Sequence, residues 1–454
     1  MLHRTAVIDL VALTDRQLAQ MPRLSALMQV GSRSRLKPTL PAVTCTSQST
    51  MLTGAPPSTH GIVGNGWHDR DRAETRFWQQ SNGLVGGEKI WDRLARHDET
   101  FTCANCFWWY AMYADVDVTV TPRPMYPADG RKIPDIWTRP ATLRDSLQRD
   151  LGQFPLFKFW GPGADISSTA WIAAAARRVD AEHDPTLLLT YLPHLDYGLQ
   201  KFGPDSPHMA QQCALLDDVA SDLIEHLMSR GRRILVVNEY GIMPVTRSCA
   251  PNIALRAAGL LAMRDERGRL HLDAGESRAL AVTDHQIAHV YVADHQDIDA
   301  VVSCLQTLDG VDQVLRSDDL VVHGLSHERC GDCVLVAKAD SWFRHDWWTC
   351  PQEAPDYQRT VDIHRKPGYD PRELFIDPAI RVPKLAIALR LLRKKLGFRT
   401  LMDVIPLDPT LVRGSHGRCD AVDEPIVWSS EPMDFPDHIP MPNVSDIIAA
   451  LSGV

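Results

Sequence analysis

Three short apolar runs, far apart in the chain, each lead into an acidic residue. The runs and their acids are Ala6 to Ile8 with Asp9, Leu187 to Leu192 with Asp196, and Ile234 to Val237 with Glu239. Apolar runs of this length, bounded by polar residues, are typical of buried parallel strands. Ligands of open parallel sheets bind outside the carboxyl ends of the strands, so we expect the three acids to converge on one site.

Amphipathic stretches lie between these runs, and the clearest extends from Met209 to Arg230 with apolar residues at helical spacing. Alternating strands and helices predict an α/β fold with a mostly parallel central sheet flanked by helices. We predict that residues 1–250 and 340–454 form this core and that residues 251–339 form a smaller α+β insertion. Its predicted strands are Leu270 to Leu272, Ile287 to Val292 and Leu320 to Val322.

The formal net charge of the 454-residue chain is -9, and no Lys/Arg cluster has the density typical of nucleic-acid binding. We therefore expect no long nucleic-acid partner. The first apolar run is too short for a secretory signal, and no later run reaches the length of a membrane span. These features favour a cytoplasmic protein, and they leave its oligomeric state open.

Ten cysteines are scattered along the chain and do not predict a disulfide framework. Two Cys-x-x-Cys pairs, Cys103/Cys106 and Cys330/Cys333, have the spacing that zinc sites use. Each pair lies in an apolar, strand-like context, which favours buried free thiols over zinc ligands.

The most distinctive motif extends from Pro41 to Asn65. Pro-Ala-Val-Thr-Cys-Thr-Ser-Gln-Ser-Thr-Met-Leu-Thr-Gly begins at Pro41, and Pro-Ser-Thr-His-Gly-Ile-Val-Gly-Asn ends at Asn65. This motif resembles the nucleophile region of nucleotide pyrophosphatases/phosphodiesterases, within the alkaline phosphatase superfamily. The resemblance implies that Thr44 is the nucleophile and that Asn65 contacts phosphate.

The chemistry of these residue types suits such roles. A hydroxyl at a helix N-terminus lies among unpaired N–H groups that bind phosphate oxygens, and an amide can stabilise a developing negative charge. The alternative is that Thr44 is a helix N-cap and Asn65 a turn residue, which are their commoner uses.

The same resemblance implies a set of metal ligands, although several positions depart from the family pattern. Gln200 and Tyr240 stand where the family has His, and Glu239 stands where it has Asp. His416 is the preferred C-terminal ligand, and His364 is its rival. The implied ligands are Asp9, Thr44, Asp196, Gln200, Glu239, Tyr240 and His416 or His364. Oxygen-rich donors favour Mn²⁺ or Mg²⁺, while His416 keeps Zn²⁺ in contention, so we expect two divalent ions.

Other polar residues are candidates for substrate binding. Arg365 and Lys366 can pair with phosphate. Arg123 and Tyr126 belong to a polar loop that either contacts the substrate or forms a solvated surface. The group Asp284-His285 with His289 is interpreted as structural, because His289 falls in a predicted strand. The aromatic clusters Trp108 to Tyr110, Phe157 to Trp160 and Trp342 to Trp348 favour core packing over a substrate wall.

Taken with the resemblance, these residues predict a metal-dependent phosphodiesterase or nucleotide pyrophosphatase acting on a small phosphate ester, with a nucleotide as one candidate. The implied mechanism passes through a phospho-threonine intermediate at Thr44. The alternatives are a phosphomonoesterase, a phosphonate hydrolase, or a binding protein that has lost catalytic power through Gln200 and Tyr240. A sulfatase is disfavoured, because the sequence around Cys45 lacks the Pro and Arg of that motif.

Overall fold

A computed structural model describes residues 2–420 and 422–454 of the chain. Its centre is a nine-stranded sheet, which confirms the predicted α/β class. The strands of the chain are β1 (Thr5–Leu10), β2 (Ser32–Lys37), β3 (Gly66–Asp69), β4 (Glu74–Phe77), β5 (Cys103–Cys106), β6 (Val118–Pro122), β7 (Ile136–Arg139), β8 (Leu187–Leu192), β9 (Arg233–Val237), β10 (Met243–Pro244), β11 (Arg247–Cys249), β12 (Met263–Glu266), β13 (Arg269–Leu272), β14 (Ala279–Asp284), β15 (Ile287–Val292), β16 (Val311–Arg316), β17 (Cys333–Ala337), β18 (Ser341–Phe343), β19 (Gly414–Ser415), β20 (Ile426–Ser429) and β21 (His438–Pro440).

Helices cover the sheet and connect its strands. They are α1 (Asp15–Leu18), α2 (Pro22–Leu27), α3 (Thr44–Thr53), α4 (Pro57–His60), α5 (Ile90–His97), α6 (Thr142–Leu151), α7 (Leu156–Phe159), α8 (Ile166–His183), α9 (His194–Phe202), α10 (His208–Ser229), α11 (Pro251–Ala257), α12 (Ile298–Leu305), α13 (Asp318–Val322), α14 (Pro383–Lys395) and α15 (Val444–Ser452). Helix α10 confirms the amphipathic stretch predicted from Met209 to Arg230.

The strand order of the central sheet is β21-β2-β20-β9-β1-β8-β5-β6-β7. Strand β1 pairs in parallel with both β8 and β9, and the parallel run continues through β5 and β6. All six residues of β1 and of β8 are buried, as their continuous apolar sequences predict. Because β1, β8 and β9 are neighbours with the same direction, the loops that follow them meet at one edge of the sheet.

A second, smaller sheet is antiparallel and has the order β14-β15-β17-β16. It lies within residues 279–337, inside the segment predicted as an insertion, and it packs around its own apolar cluster. The predicted strand at Leu320 to Val322 is wrong, because these residues lie in helix α13, where Val321 and Val322 are exposed. Three apolar residues in a row carry no periodicity that separates a strand from a short helix.

The cysteines of both Cys-x-x-Cys pairs are buried, as predicted, and none of these four forms a disulfide. Cys103 and Cys106 lie in β5, and Cys333 begins β17. In the part of the chain that the structure describes, no helix is both long and apolar enough to cross a membrane.

Candidate active site

Thr44 is the first residue of α3, and its side chain is almost completely buried. The N-cap position belongs to Val43, whose backbone is extended, and no side chain caps this helix. The Thr44 hydroxyl instead forms a hydrogen bond of 3.1 Å with the hydroxyl of Tyr240. The alternative role of Thr44 as an N-cap is therefore wrong, and its hydroxyl faces other polar groups at a helix N-terminus.

Asn65 joins the N-terminus of α3 to the smaller sheet. Its Oδ1 accepts a hydrogen bond from the Cys45 N–H at 2.9 Å. Its backbone N–H and its Nδ2 both donate to the carboxylate of Asp284, at 2.8 and 3.1 Å. These bonds fix the Asn65 amide beside the first turn of α3, next to Thr44.

Asp9 and Glu239 lie side by side at the carboxyl end of neighbouring strands, and both are fully buried. Gln48 lies between them, and its Nε2 donates to Asp9 at 3.1 Å and to Glu239 at 2.7 Å. The Trp109 N–H donates to Gln48 Oε1 at 2.7 Å and so orients this amide.

Each of these two carboxylates keeps one oxygen, Asp9 Oδ1 and Glu239 Oε2, without a hydrogen-bond donor among the described residues. Burial raises the pKa of both acids, and the charge of Glu239 raises the pKa of Asp9 further. Neither acid forms a salt bridge within residues 2–420 and 422–454. The pair is thus a buried acid pair that no cationic side chain of the described residues neutralises.

Asp196 occupies the first turn of α9, directly after β8. Its carboxylate accepts hydrogen bonds from the Tyr240 hydroxyl at 3.2 Å and from Gln200 Nε2 at 2.7 Å. Burial is the main reason that the pKa of Asp196 rises to about 7. Gln200 Oε1 in turn accepts a hydrogen bond from the Tyr369 hydroxyl at 2.8 Å.

His416 reaches this group because β19 pairs with β10, which follows Tyr240 in the chain. Its Nδ1 donates to the Ala42 carbonyl at 2.8 Å, which leaves Nε2 as the unprotonated nitrogen, 3.8 Å from Asp196 Oδ1. Burial lowers the pKa of His416 well below its usual value, so the ring is neutral. The rings of His416 and Tyr240 stack with their centroids 3.5 Å apart.

His364, the rival C-terminal ligand, lies elsewhere along the cavity. Its Nδ1 faces the Phe77 carbonyl at 3.4 Å, and Lys132, Asp362 and Arg123 are the charges that act on it. The structure therefore brings His416, and not His364, to the group that contains Asp196.

Asp284 and His285 form the tip of the β14–β15 hairpin, with His285 in the left-handed region at a φ of 61°. His285 Nδ1 bonds to Asp284 Oδ1 at 2.8 Å, and its ring stacks on Tyr369 and lies against His416. Its Nε2 is buried without a partner among the described residues. The interpretation of this group as structural agrees with His289, which bonds to the Val63 carbonyl at 2.8 Å, while Asp284 and His285 lie against Asn65 and His416.

A cavity of about 1150 Å³ opens above Thr44. Polar groups line its inner end, namely Thr44, Tyr191, Asp196, Tyr197, Tyr240, His285, Tyr369 and His416. Its walls include Trp109, Phe157, Phe159 and Trp160, so part of two aromatic clusters forms a cavity wall. Trp108, Trp342 and Trp347 are core residues, in agreement with the packing interpretation.

Two of the four predicted substrate contacts, Tyr126 and Arg365, line this cavity, and Arg123 lies beside it, where its charge acts on Tyr126. Lys366 does not fit its predicted role. It is 1% exposed, and its Nζ lies 2.8 Å from both Asp370 and Glu373. A buried ammonium is most stable when paired in this way, so Lys366 neutralises two acids of the core instead of meeting substrate.

The side chains around Asp9 and Glu239 suit a divalent cation better than those around Asp196 do. Asp9 and Glu239 supply two acid side chains with bare oxygens beside the Thr44 hydroxyl, which suits an ion that prefers oxygen ligands. Around Asp196, His416 supplies one imidazole, and Gln200 is already hydrogen-bonded at both ends of its amide. Across residues 2–420 and 422–454, no group of three or more His, Cys, Asp or Glu side chains has the geometry of a metal site.

Sequence reasoning overlooked Gln48 and Tyr369, and it did not place Asp284 and His285 beside Asn65. Gln48 follows Thr44 by four residues and thus lies on the same helix face, a spacing that could have revealed it. The bond between Asn65 and Asp284 spans 219 residues, and no local pattern signals a contact at that separation.

Comparison with known proteins gives a consistent result. A family model described as type I phosphodiesterase / nucleotide pyrophosphatase matches residues 5–370. An uncharacterized pyrophosphatase/phosphodiesterase of Schizosaccharomyces pombe is 26% identical over 227 residues, which cover 46% of this chain. The matched region spans 38% of the length of that curated relative.

Solved structures share the fold at low sequence identity. Phosphonoacetate hydrolase from Sinorhizobium meliloti, in complex with phosphonoformate, superposes with a TM-score of 0.64 and 14% identity, covering 99% of this chain and 96% of its own. An inactive threonine-to-alanine variant of murine ectonucleotide pyrophosphatase / phosphodiesterase 5, in complex with AMP, gives a TM-score of 0.59 at 13% identity and covers 100% and 95%.

Proposed function

Since the chain belongs to the type I phosphodiesterase / nucleotide pyrophosphatase family, we propose that it hydrolyses phosphate diesters or pyrophosphates with Thr44 as the nucleophile. The observation that carries the proposal is the position of the Thr44 hydroxyl. It lies at a helix N-terminus, at the inner end of a large cavity, and bonds to Tyr240, which bonds to Asp196.

The residues of this chain suggest how the proton of Thr44 is handled. Thr44 Oγ1 attacks phosphorus, the leaving alcohol or phosphate departs, and a phospho-threonine ester forms and is then hydrolysed by water. The Thr44 proton passes through the Tyr240 hydroxyl towards Asp196. A carboxyl with a pKa of about 7 can accept a proton and return it near neutral pH.

In this proposal, Asn65 and the N-terminus of α3 donate hydrogen bonds to the phosphate oxygens. The second N–H of Asn65 Nδ2 is free to donate while the first is held by Asp284. His285 Nε2 is a further polar group at the inner end of the cavity, and its ring is oriented by the same carboxylate. Asp284 thus orients two groups that face the reacting phosphate.

The family is metal-dependent, and Asp9, Glu239 and Thr44 are the residues that we propose hold a divalent ion here, with Mn²⁺ or Mg²⁺ favoured over Zn²⁺. A bound ion supplies the counter-charge that these acids lack and lowers the pKa of the Thr44 hydroxyl. For a second ion to bind beside Asp196 and His416, Gln200 has to release one of its two hydrogen bonds.

Hydrolysis of bis-p-nitrophenyl phosphate by the purified protein tests the proposal, with Mn²⁺, Mg²⁺, Zn²⁺ or EDTA added in parallel. We expect turnover that requires a divalent ion and exceeds turnover of p-nitrophenyl phosphate. Faster release from the monoester, or cleavage of phosphonoacetate alone, would replace the diesterase with another hydrolase of the superfamily.

A second candidate function, ligand binding without turnover, is favoured by one observation. Gln200 and Tyr240 hydrogen-bond Asp196 in positions where the resemblance implies metal-binding imidazoles. If the protein hydrolyses no ester with any of the ions but AMP raises its Tm, the binding function replaces the hydrolase.

A further inference from the structure

Helix α14 presents an apolar stripe to solvent. Successive residues of a helix turn by about 100°, so the spacing of Leu385, Leu389, Leu392 and Leu396 places all four on one face. Each of these leucines is between 52% and 65% exposed, and no residue of α14 is buried. Scattered exposed leucines need no explanation, whereas a continuous stripe indicates a contact surface.

The same segment is strongly basic. From Pro378 to Met402 the chain contains seven basic residues and no acidic one, although its overall net charge is -9. The basic residues are Arg381, Lys384, Arg390, Arg393, Lys394, Lys395 and Arg399. Only Arg390 is in a salt bridge, with Asp403, among the contacts of residues 2–420 and 422–454.

The basic residues flank the leucine stripe. At about 100° per residue, Arg393 projects from one side of the stripe, and Lys384 and Lys395 project from the other. A helix with Lys and Arg beside an apolar face can bury that face at a lipid–water boundary while the ammonium and guanidinium groups meet anionic headgroups.

The inner face of α14 continues into the candidate active site. Ile387, Leu391 and Lys394 line the cavity that reaches Thr44, as do Leu401, Met402 and Val404 of the following segment. Two exposed aromatic residues, Tyr126 and Phe157, line the same cavity. The leucine stripe therefore lies on one side of α14, and the apolar wall of the cavity lies on the other side.

We propose that α14 docks this protein on an anionic lipid bilayer, and that the apolar part of the cavity takes the hydrocarbon portion of an amphiphilic phosphate ester. The substrate half of this proposal rests on the proposed function, and the docking half does not. Charge favours the bilayer over a second copy, because two α14 faces would bring like charges together. A lipid headgroup in the cavity would place its phosphorus near Thr44 and its chains towards α14.

The test is co-sedimentation of the full chain with vesicles of equal parts phosphatidylcholine and phosphatidylglycerol. The informative variant is the pair Leu389→Glu with Leu392→Glu. Its matched control is Val321→Glu with Val322→Glu in α13, where the side chains are 63% and 82% exposed. Thermal unfolding of all three proteins verifies that each is folded.

We expect the wild type and the control to bind these vesicles, and the α14 variant to lose about tenfold or more in affinity. Binding should weaken in high salt and on vesicles of phosphatidylcholine alone. Absence of wild-type binding overturns the docking proposal, as does equal binding by the α14 variant. If the wild type is a dimer and the α14 variant is a monomer, the docking proposal is wrong and α14 binds a second copy of the chain.

Hydrolysis of bis-p-nitrophenyl phosphate, measured on the same proteins, separates the two proposals. The α14 variant should retain this activity on a soluble ester, since neither Leu389 nor Leu392 lines the cavity. Vesicle binding without any hydrolysis would refute the proposed function and leave docking intact. Hydrolysis without vesicle binding would refute the docking proposal and leave the proposed function intact.

Discussion

Two clusters of buried acids in this protein have opposite electrostatic character. The active-site acid cluster consists of Asp9, Asp196 and Glu239, and the structural acid cluster consists of Asp346, Asp370 and Glu373. All six are buried, but only the structural acid cluster contains buried positive side chains.

Arg372 and Lys366 neutralise the structural acid cluster. Arg372 contacts Asp346 at 2.7 Å and Asp370 at 2.6 Å, and Arg344 also pairs with Asp346. Although burial acts to raise them, the pKa values of Asp346 and Asp370 lie below their usual range because of these partners. In the active-site acid cluster, burial acts without such partners and raises the pKa of all three acids. Glu373 is the exception in the structural acid cluster, since burial raises its pKa despite the Lys366 ammonium. The contrast in counter-charge therefore separates Asp346 and Asp370 from the three active-site acids.

The largest expected effect comes from removing the Thr44 hydroxyl beside the active-site acid cluster. Thr44→Ala should lower kcat for bis-p-nitrophenyl phosphate by about 10⁴-fold or more, because it removes the hydroxyl that attacks phosphorus in the proposed mechanism. Thr44→Ser, the matched control, should keep measurable activity. Activity of the alanine variant within tenfold of wild type would remove Thr44 from the mechanism.

Removing a counter-charge from the structural acid cluster should destabilise the fold. Arg372→Met removes the fully buried guanidinium shared by Asp346 and Asp370, which keep only Arg344 and Lys366 as partners, and should lower the free energy of unfolding by about 3–5 kcal/mol. Asp9→Asn, by contrast, removes repulsion with Glu239 and should leave the EDTA-treated protein at least as stable as wild type. Urea unfolding of the two variants compares them, and the opposite ranking would contradict the distinction between the clusters.

Restoring the imidazole that the resemblance implies should change metal preference. Gln200→His adds a nitrogen donor beside Asp196 and His416, and we expect Zn²⁺ affinity to rise by about 10–100-fold. Competition with a chromophoric chelator measures that affinity. Unchanged Zn²⁺ affinity would indicate that Asp196 and His416 do not bind metal together.

The effect spread most thinly over its conditions is on the pH dependence of stability in EDTA-treated protein, where the change per pH unit is small. Asp196 has a pKa of about 7 in the folded state and an ordinary value of 3.8, so the folded protein binds the extra proton between these pH values. Its contribution is present in full below about pH 4 and is lost as pH rises towards 7, at up to roughly 1.4 kcal/mol per pH unit. Asp196→Asn should flatten this slope in urea titrations, and a slope identical to wild type would place the titration on another group.

The sheet and three acids of the site were predictable because their signals are local. A fully buried parallel strand needs a continuous apolar run, and a strand end fixes where the next polar residue lies, which placed Asp9, Asp196 and Glu239 correctly. The position of Thr44 at the start of α3 followed instead from the family resemblance of the motif around it.

The rest of the site depends on contacts that no short pattern encodes. Asp284 and His285 enter it because a hairpin of the smaller sheet folds back against the N-terminus of α3. Lys366 was assigned to substrate because a basic side chain next to Arg365 looks available in sequence, and only the fold reveals its two buried acid partners. Long-range packing decides such cases, and a single sequence does not report it.

The identity of the nucleophile is tested most directly by acid-quenching the enzyme during turnover and mapping the modified peptide by mass spectrometry. We predict that one phosphoryl or phosphoester group is found on Thr44, that it moves to the serine of Thr44→Ser, and that it is absent from Thr44→Ala. A covalent phosphate on any other residue, or rapid turnover by Thr44→Ala, would contradict the assignment of Thr44 as the nucleophile.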